Sequence, residues 1–404
     1  MRPPGPFPLA GYITWQDRMA GASLDDIEVR ALCLDDGHRR VAVCVLDLLA
    51  VTQDLADRIV AGLGAGWRAD QVLVAATHTH SGPGGYWPTR AARFFMGRMR
   101  PEVRDHLVSA AVRAVAEAAV DLRPARASAG RAEARGLTSN RCLPCGPTDD
   151  EVVALRLDRP DGALVLIEIA GHPVVVAEHD QAAVSADWPG AVRRRLEARG
   201  LRPVVLTGAL AGLSVIFPEF PTALDRHLDL VAGLATDATL RALDSATPLA
   251  RSTVGAAVER VSLGPPRVRI YPATRPFAHL ASWPLRQLMA GYLRAASEPG
   301  NASAPVHALR VGPFALLGFP CDLGVEVALQ ARAAAAAAGY GPVAVASQVG
   351  GYAGYVHHAE AAAGTPAPSQ RGLWTYENAM GFFGTGLAGR LEAAAARALA
   401  RAAG

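Results

Sequence analysis

The sequence predicts an α/β fold of mixed β-sheets layered with helices. Three observations point there. Half of the 404 residues are apolar, and they fall in strand-length runs spread along the whole chain. Several of these runs face each other across tight Asp/Gly or Gly-Pro turns, which makes antiparallel hairpins. Others are separated by stretches of helical periodicity, so strands and helices alternate around the hairpins and a purely parallel sheet is excluded.

Element by element, Ile27 to Leu34 and Val41 to Leu49 read as two strands around Asp35-Asp36-Gly37. Leu55 to Leu63 reads as a short helix. Gln71 to Ala76 is an apolar run bounded by polar residues, hence a buried strand. Val103 to Ala119 has helical spacing. Val152 to Leu157 and Leu164 to Ala170 form a second hairpin around Asp161-Gly162. Pro189 to Arg199 is a helix with proline near its start. Val204 to Thr207 is a strand, and Leu224 to Leu243 a helix. Residues 244–308 are proline-rich and less regular. Val306 to Val311 and Phe314 to Phe319 form a third hairpin around Gly312-Pro313. A helix over Leu323 to Ala338, a strand over Val343 to Ser347 and an amphipathic helix over Gly386 to Ala402 complete the set. Gly364 to Gln370 reads as a loop. With no repeat and no linker, residues 1–404 are expected to be one domain.

Composition narrows the function. The net charge of +3 gives no case for nucleic acid. All forty basic residues are arginine, which excludes a Schiff-base lysine. The apolar stretches are too short and too interrupted by charge to be a transmembrane segment, as Val41 to Val51 is by Asp47. Met1-Arg2-Pro3-Pro4-Gly5-Pro6-Phe7-Pro8 lacks the apolar region of a secretory signal. Five cysteines, an odd number, suit a reducing compartment. A cytoplasmic protein is the expectation.

The chemistry is concentrated in Ala76-Thr77-His78-Thr79-His80-Ser81-Gly82-Pro83-Gly84-Gly85. In an extended segment His78 and His80 face the same side and can offer two imidazoles to one cavity. Glycines beside them let the backbone approach a ligand. Another histidine, His172, follows a strand in Gly171-His172-Pro173, the strand end at which open α/β sheets build their sites. Asp187, in Ser185-Ala186-Asp187-Trp188-Pro189-Gly190, reads as a helix-start residue or as a support for the site. Trp87, Tyr86 and Phe94-Phe95 either wall an apolar pocket or pack in the core. His357-His358 can turn at most one ring toward a site, and His179 with Asp180 reads as surface. Cys142-Leu143-Pro144-Cys145 lacks a second Cys pair and shapes a pocket wall next to Arg141.

The ten-residue histidine segment resembles the signature of the neutral/alkaline ceramidase family, and the order of later pieces agrees: Asn140-Arg141, Gly171-His172-Pro173, the Ser185 to Gly190 segment, Gly354-Tyr355-Val356 and Tyr376-Glu377. The resemblance implies a ceramidase-like catalytic domain with zinc held by His78, His172 and the phenol oxygen of Tyr355. It implies that His80, Arg141, Ser214 and Tyr376 act on the substrate, and that a zinc-activated water cleaves an amide. Where the family has a glutamate ligand in a Pro-Gly-Glu context, this chain has Phe319-Pro320-Cys321-Asp322. Asp322 is the expected metal ligand there, with Cys321 the softer alternative. Ser214 stands in Ala211-Gly212-Leu213-Ser214-Val215-Ile216, without the polar neighbours of the family's serine. The family's C-terminal β-sandwich is not expected here. The reading is therefore a zinc-dependent amidase with a small-molecule amide substrate. Amide or ester formation, cyclisation or rearrangement at the same site is the second reading, and a metal-free binding protein that kept the fold is the third.

Overall fold

The computed structural model describes residues 1–142, 146–215, 223–250, 252–265, 302–358 and 380–404. Tyr376, Cys145 and the Gly364 to Gln370 stretch lie outside the described residues.

In chain order the elements are β1 (Val29–Asp35), β2 (Arg40–Leu46), α1 (Gln53–Gly62), β3 (Val72–Ala76), α2 (Arg93–Met96), α3 (Pro101–Val120), β4 (Arg126–Glu133), β5 (Ser139–Asn140), β6 (Glu151–Arg159), β7 (Gly162–Ile169), α4 (Val175–His179), α5 (Asp187–Glu197), β8 (Leu201–Thr207) and β9 (Leu213–Ser214). There follow α6 (Leu224–Asp244), β10 (Thr247–Pro248), β11 (Val254–Ser262), β12 (Ser303–Val311), β13 (Phe314–Gly318), β14 (Asp322–Leu323), α7 (Val325–Ala337), β15 (Val343–Ala346), β16 (Tyr355–Val356) and α8 (Leu387–Ala403). Among the described residues these strands form three larger sheets, β1-β2-β3, β10-β4-β6-β7-β8 and β11-β12-β13-β15, and two short pairs, β14-β16 and β5-β9. The expected hairpins are all present as antiparallel pairs. The parallel partners in the large sheets are β2 with β3, β7 with β8, and β13 with β15. The sheets are mixed, as expected.

The period-2 pattern of the strands decides the layering. In β2, Val41, Val43 and Val45 turn to a core shared by all three large sheets, with Leu155, Leu166, Leu206, Leu309, Phe314 and Leu316. The alternate residues Ala42, Cys44 and Leu46 turn to the helix side, where α1, α3, α7 and α8 contribute Leu55, Leu107, Ala331 and Leu391. On the outer face of β6, β7 and β8, Ile167 and Val205 meet Val192 of α5 and Val231 of α6. Sheets lie inside and helices outside, because the central strands are apolar on both faces and each face needs a cover. Burying a side chain such as Val43 contributes roughly 1.5–3 kcal/mol.

Two of the longer strands, besides the two-residue strands β5, β9, β10, β14 and β16, differ from the sequence reading. β4 is not among the expected elements, and β11 lies in the stretch read as irregular. Their sequences, RASAGRAE and VGAAVERVS, are rich in small and charged residues with weak strand preference. A helix explains both. A Cβ at Gly130 of β4 would lie 2.0 Å from the Ala242 carbonyl oxygen of α6, and one at Gly255 of β11 would lie 2.0 Å from the Ala402 oxygen of α8. Glycine is present there because a helix backbone rests on the strand. Among the described residues no helix is long and apolar enough to cross a membrane.

Candidate metal centre

The carboxyl ends of strands from all three large sheets converge at one place. His78 follows β3, His172 follows β7, Leu210 follows β8, Asp322 follows β13, and Gln348 follows β15. The loop carrying His78 is stitched into that place by hydrogen bonds. Thr77 Oγ1 donates to Asp47, Thr79 Oγ1 donates to the Ser185 carbonyl at 2.8 Å, and the His80 amide donates to the Pro173 carbonyl at 3.2 Å. Asp47 is in turn clamped by Arg193 of α5, at 2.9 Å and almost wholly buried.

The two motif histidines do converge, but by a different route from the expected strand pleat. His78 has φ of 64°, in the left-handed region, so the segment is not extended there. Among the described residues, the non-glycine residues at positive φ are His78, Asp187 and Gln348. All are buried and all lie at or against the centre. Backbone strain of this kind costs of order 1–3 kcal/mol and concentrates at sites where geometry is imposed by function.

The donor geometry is specific. His78 Nδ1 lies 2.7 Å from the Leu49 carbonyl and His172 Nδ1 lies 3.1 Å from the Leu210 carbonyl. A carbonyl only accepts, so each Nδ1 carries the proton and each Nε2 is left with a lone pair. These two Nε2 atoms are 3.0 Å apart, and His80 Nε2 is 3.3 Å from that of His78. Burial lowers the pKa of all three, against the pull of Asp322 at His78, and neighbouring His and Arg charge takes His80 and His172 well below the usual histidine value. Neutral lone pairs pointed at each other repel, and a cation between them removes that repulsion. Two nitrogens bound tetrahedrally to one zinc at about 2.0–2.1 Å would be separated by about 3.3 Å, close to the spacings found. Among the described residues, His78, His80 and His172 form the cluster able to hold a metal ion. The donor set fits a divalent metal with a taste for imidazole.

Around this cluster the expected residues are distributed as follows. Tyr355 is buried, with its hydroxyl 3.4 Å from His172 Nε2. Arg141 Nη2 donates to the same hydroxyl at 3.4 Å. Asp322 pairs with Tyr355 in the short β14–β16 ladder and is fully buried. Its carboxylate is 3.5 Å from Nδ1 of His78, on the opposite edge of that ring from Nε2. Gln348 donates to one oxygen and the Tyr352 hydroxyl to the other, at 2.8 Å for the hydroxyl. Cys321 is fully buried, and burial pushes its thiol pKa well up, which disfavours the thiolate a metal needs. Ser214 sits in the β5–β9 pair opposite Ser139.

Asp187 is the first residue of α5, a helix-start residue as expected, with Ala186 at the cap position. It is buried and accepts from the Val176 and Trp188 amides, so it ties the start of α4 to the start of α5. Burial raises its carboxyl pKa to about 7. Trp87 and Phe95 line an apolar pocket with Ile13, Leu49, His78, His80, Tyr352, Tyr355 and Met380, whereas Tyr86 is core and donates to the Ala50 carbonyl. His357 and His358 turn away to Glu326 and Glu392. His179 is exposed and pairs with His227. Sequence reasoning missed Gln348 and Tyr352, which hold Asp322, and Arg18, whose guanidinium donates to the His80 carbonyl. The one signal for Gln348 was a lone amide directly after an apolar strand.

Comparison with known proteins agrees with this picture. Residues 4–145 match the family model described as neutral/alkaline non-lysosomal ceramidase, N-terminal. A neutral ceramidase of Mycobacterium tuberculosis is 30% identical over 110 residues, 26% of this chain and 17% of that protein. A neutral ceramidase of Pseudomonas aeruginosa is 28% identical over 141 residues, 33% of this chain and 21% of that protein. The aligned stretches thus span about a fifth of those relatives' lengths. The crystal structure of the Pseudomonas aeruginosa neutral ceramidase superposes with a TM-score of 0.77 at 18% identity, over 98% of this chain and 73% of that one. Residues 4–145 of this chain thus resemble the N-terminal part of the neutral/alkaline non-lysosomal ceramidases in sequence, and nearly the whole chain has the fold of the Pseudomonas aeruginosa neutral ceramidase.

Proposed function

We propose that the protein is a zinc-dependent hydrolase of an N-acyl amide. The observation that carries this reading is the pair of buried imidazoles, His78 and His172, each fixed by a main-chain carbonyl so that its Nε2 lone pair meets the other at 3.0 Å. In this reading His78 and His172 hold the ion through Nε2 and Tyr355 through its oxygen. When bound, zinc supplies a Lewis acid that polarises a carbonyl and brings the pKa of water toward neutrality.

The chain's own residues do the rest. The apolar walls around Ile13, Trp87, Phe95 and Met380 receive the acyl group and exclude water from the amide. Arg141, directed at the Tyr355 oxygen, places a positive charge where negative charge grows on the carbonyl oxygen. His80 lines the pocket as well as the cluster and is neutral, so it can accept a proton and pass it to the leaving amine. Ser214 and Tyr376 keep the substrate-side roles expected from the resemblance.

The test is metal analysis of the purified chain beside turnover of N-acyl amides of graded chain length. About one zinc per chain is expected in the parent, with metal and turnover both lost in His78→Ala. A parent that holds no stoichiometric zinc after reconstitution would overturn the reading.

A further inference from the structure

The pocket beside the histidines opens under a lip with an unusual surface. Two segments make it, residues 11–15 and 90–98. They are joined through the Gly11 amide to the Phe95 carbonyl at 2.8 Å and the Thr14 amide to the Phe94 carbonyl at 2.7 Å. Trp15 is 92% exposed and Ile13 56% exposed, although both are large and apolar. Trp15 meets the edge of Phe94, at 5.6 Å between ring centres. Ile13 also lines the pocket itself, so the exposed apolar lip reaches the chamber that holds His78 and His80.

The charge of the 90–98 segment and its flanks is one-sided. From Gln71 to Pro101 the sequence contains no Asp or Glu and four arginines, Arg90, Arg93, Arg98 and Arg100. Arg90, Arg93 and Arg98 lie at the surface of the lip. The Arg93 guanidinium stacks 4.6 Å over Phe94, which holds a cation flush with the aromatic surface. Among the described residues, two carboxylates on the adjoining elements are engaged. Asp17 accepts from the Arg98 amide and lies 3.8 Å from Arg100, and Glu178 accepts from the Tyr12 hydroxyl.

An exposed Trp with an aliphatic neighbour, flanked by arginine and reaching an apolar chamber, has the composition of a surface that sits at the lipid–water boundary. Trp prefers that boundary because its ring is amphipathic. Arginine adds attraction to anionic headgroups within a Debye length. We infer that this lip docks on an anionic lipid bilayer and that the pocket is loaded from it. The entry of substrate rests on the amide-hydrolase reading; the docking does not.

The experiment is co-sedimentation of the full chain, without substrate, with vesicles of phosphatidylcholine alone or mixed with phosphatidylglycerol. Binding is expected to the anionic vesicles and to fall as salt rises. Trp15→Ala combined with Ile13→Ser should weaken it about tenfold. Changing Arg90, Arg93 and Arg98 to Gln should weaken it about a hundredfold. Val120→Ser, which removes an 87% exposed side chain at the end of α3, should leave it unchanged. His78→Ala should bind vesicles like the parent, so a failed hydrolase reading and a failed docking reading give different results. Near-UV circular dichroism confirms that each variant is folded. Equal binding to neutral and anionic vesicles, no effect of the Trp15 variant, or a Trp15-dependent dimer in sedimentation equilibrium would each overturn the inference.

Discussion

The histidine wall of the centre and the Asp322 wall are fixed by different kinds of partner. His78 and His172 are each oriented by a main-chain carbonyl, Leu49 and Leu210, which no substitution at those positions removes. Asp322 is oriented by two side chains, Gln348 and Tyr352, that come from a later loop. A donor aimed by the backbone needs only its own residue and the right turn. A donor aimed by side chains needs all of them at once, and losing one leaves a buried carboxylate under-satisfied. The difference also bears on the shorter acid. With both oxygens engaged and the carboxylate 3.5 Å from Nδ1 of His78, we propose that Asp322 supports that ring electrostatically, against the alternative expected from the sequence that it is itself a metal ligand.

The sharpest way to break this contrast is to compare His172→Ala with Asp322→Asn. His172→Ala should abolish zinc binding and lower turnover by roughly a thousandfold or more, the several kcal/mol that a Lewis acid supplies. Asp322→Asn should keep the metal but weaken its affinity about 10–100-fold. Zinc titration against a chromophoric chelator reads both. Equal loss in the two variants would make Asp322 a ligand and remove the distinction.

A smaller effect is expected at Gly11. Its φ is 112°, and a Cβ there would lie 2.6 Å from His80 Nδ1. Gly11→Ala should therefore displace the His80 ring and lower turnover about tenfold, while zinc content stays at the parental level. Loss of zinc in that variant would show that His80 belongs with the ligands and not with the substrate side.

The smallest effect concerns Asp187, between α4 and α5. An aspartic acid in water ordinarily titrates near 3.8, and burial raises Asp187 to about 7 in the fold. Below the lower value it is protonated in both states. Between the two values the unfolded chain releases the proton and the fold keeps it, so this group's contribution to stability falls as pH rises from about 4 to about 7 and is level above that. Asp187→Asn should flatten that slope. Urea midpoints of parent and variant across this range measure it, and parallel curves would assign the slope elsewhere.

The fold was readable in the sequence wherever strands alternate large apolar residues or run apolar on both faces, as in β2, β7 and β13. It was unreadable in β4 and β11. There the strand is built largely from small and charged residues, with glycine where a helix backbone occupies the space a side chain would fill. Local preference then points away from the structure, and only the packed helix restores it. The site divides in the same manner. His78, His80, His172, Arg141 and Tyr355 stood out as residue types in recognisable short contexts, and the structure brings them together. Gln348 and Tyr352 did not stand out, since an amide and a phenol acquire a role only from the carboxylate they face.

By itself the sequence determined the layered α/β architecture, the strand ends that carry histidine, and the chemical type of the donors. Those follow from periodicity and side-chain chemistry, which are local. Only the tertiary structure decided how the donors meet. The left-handed turn at His78, the carbonyls that leave both Nε2 atoms with lone pairs, the side of His78 on which Asp322 stands and the union of residues 11–15 with 90–98 all join segments far apart in the chain. Such contacts are set by packing, and packing is a property of the whole fold.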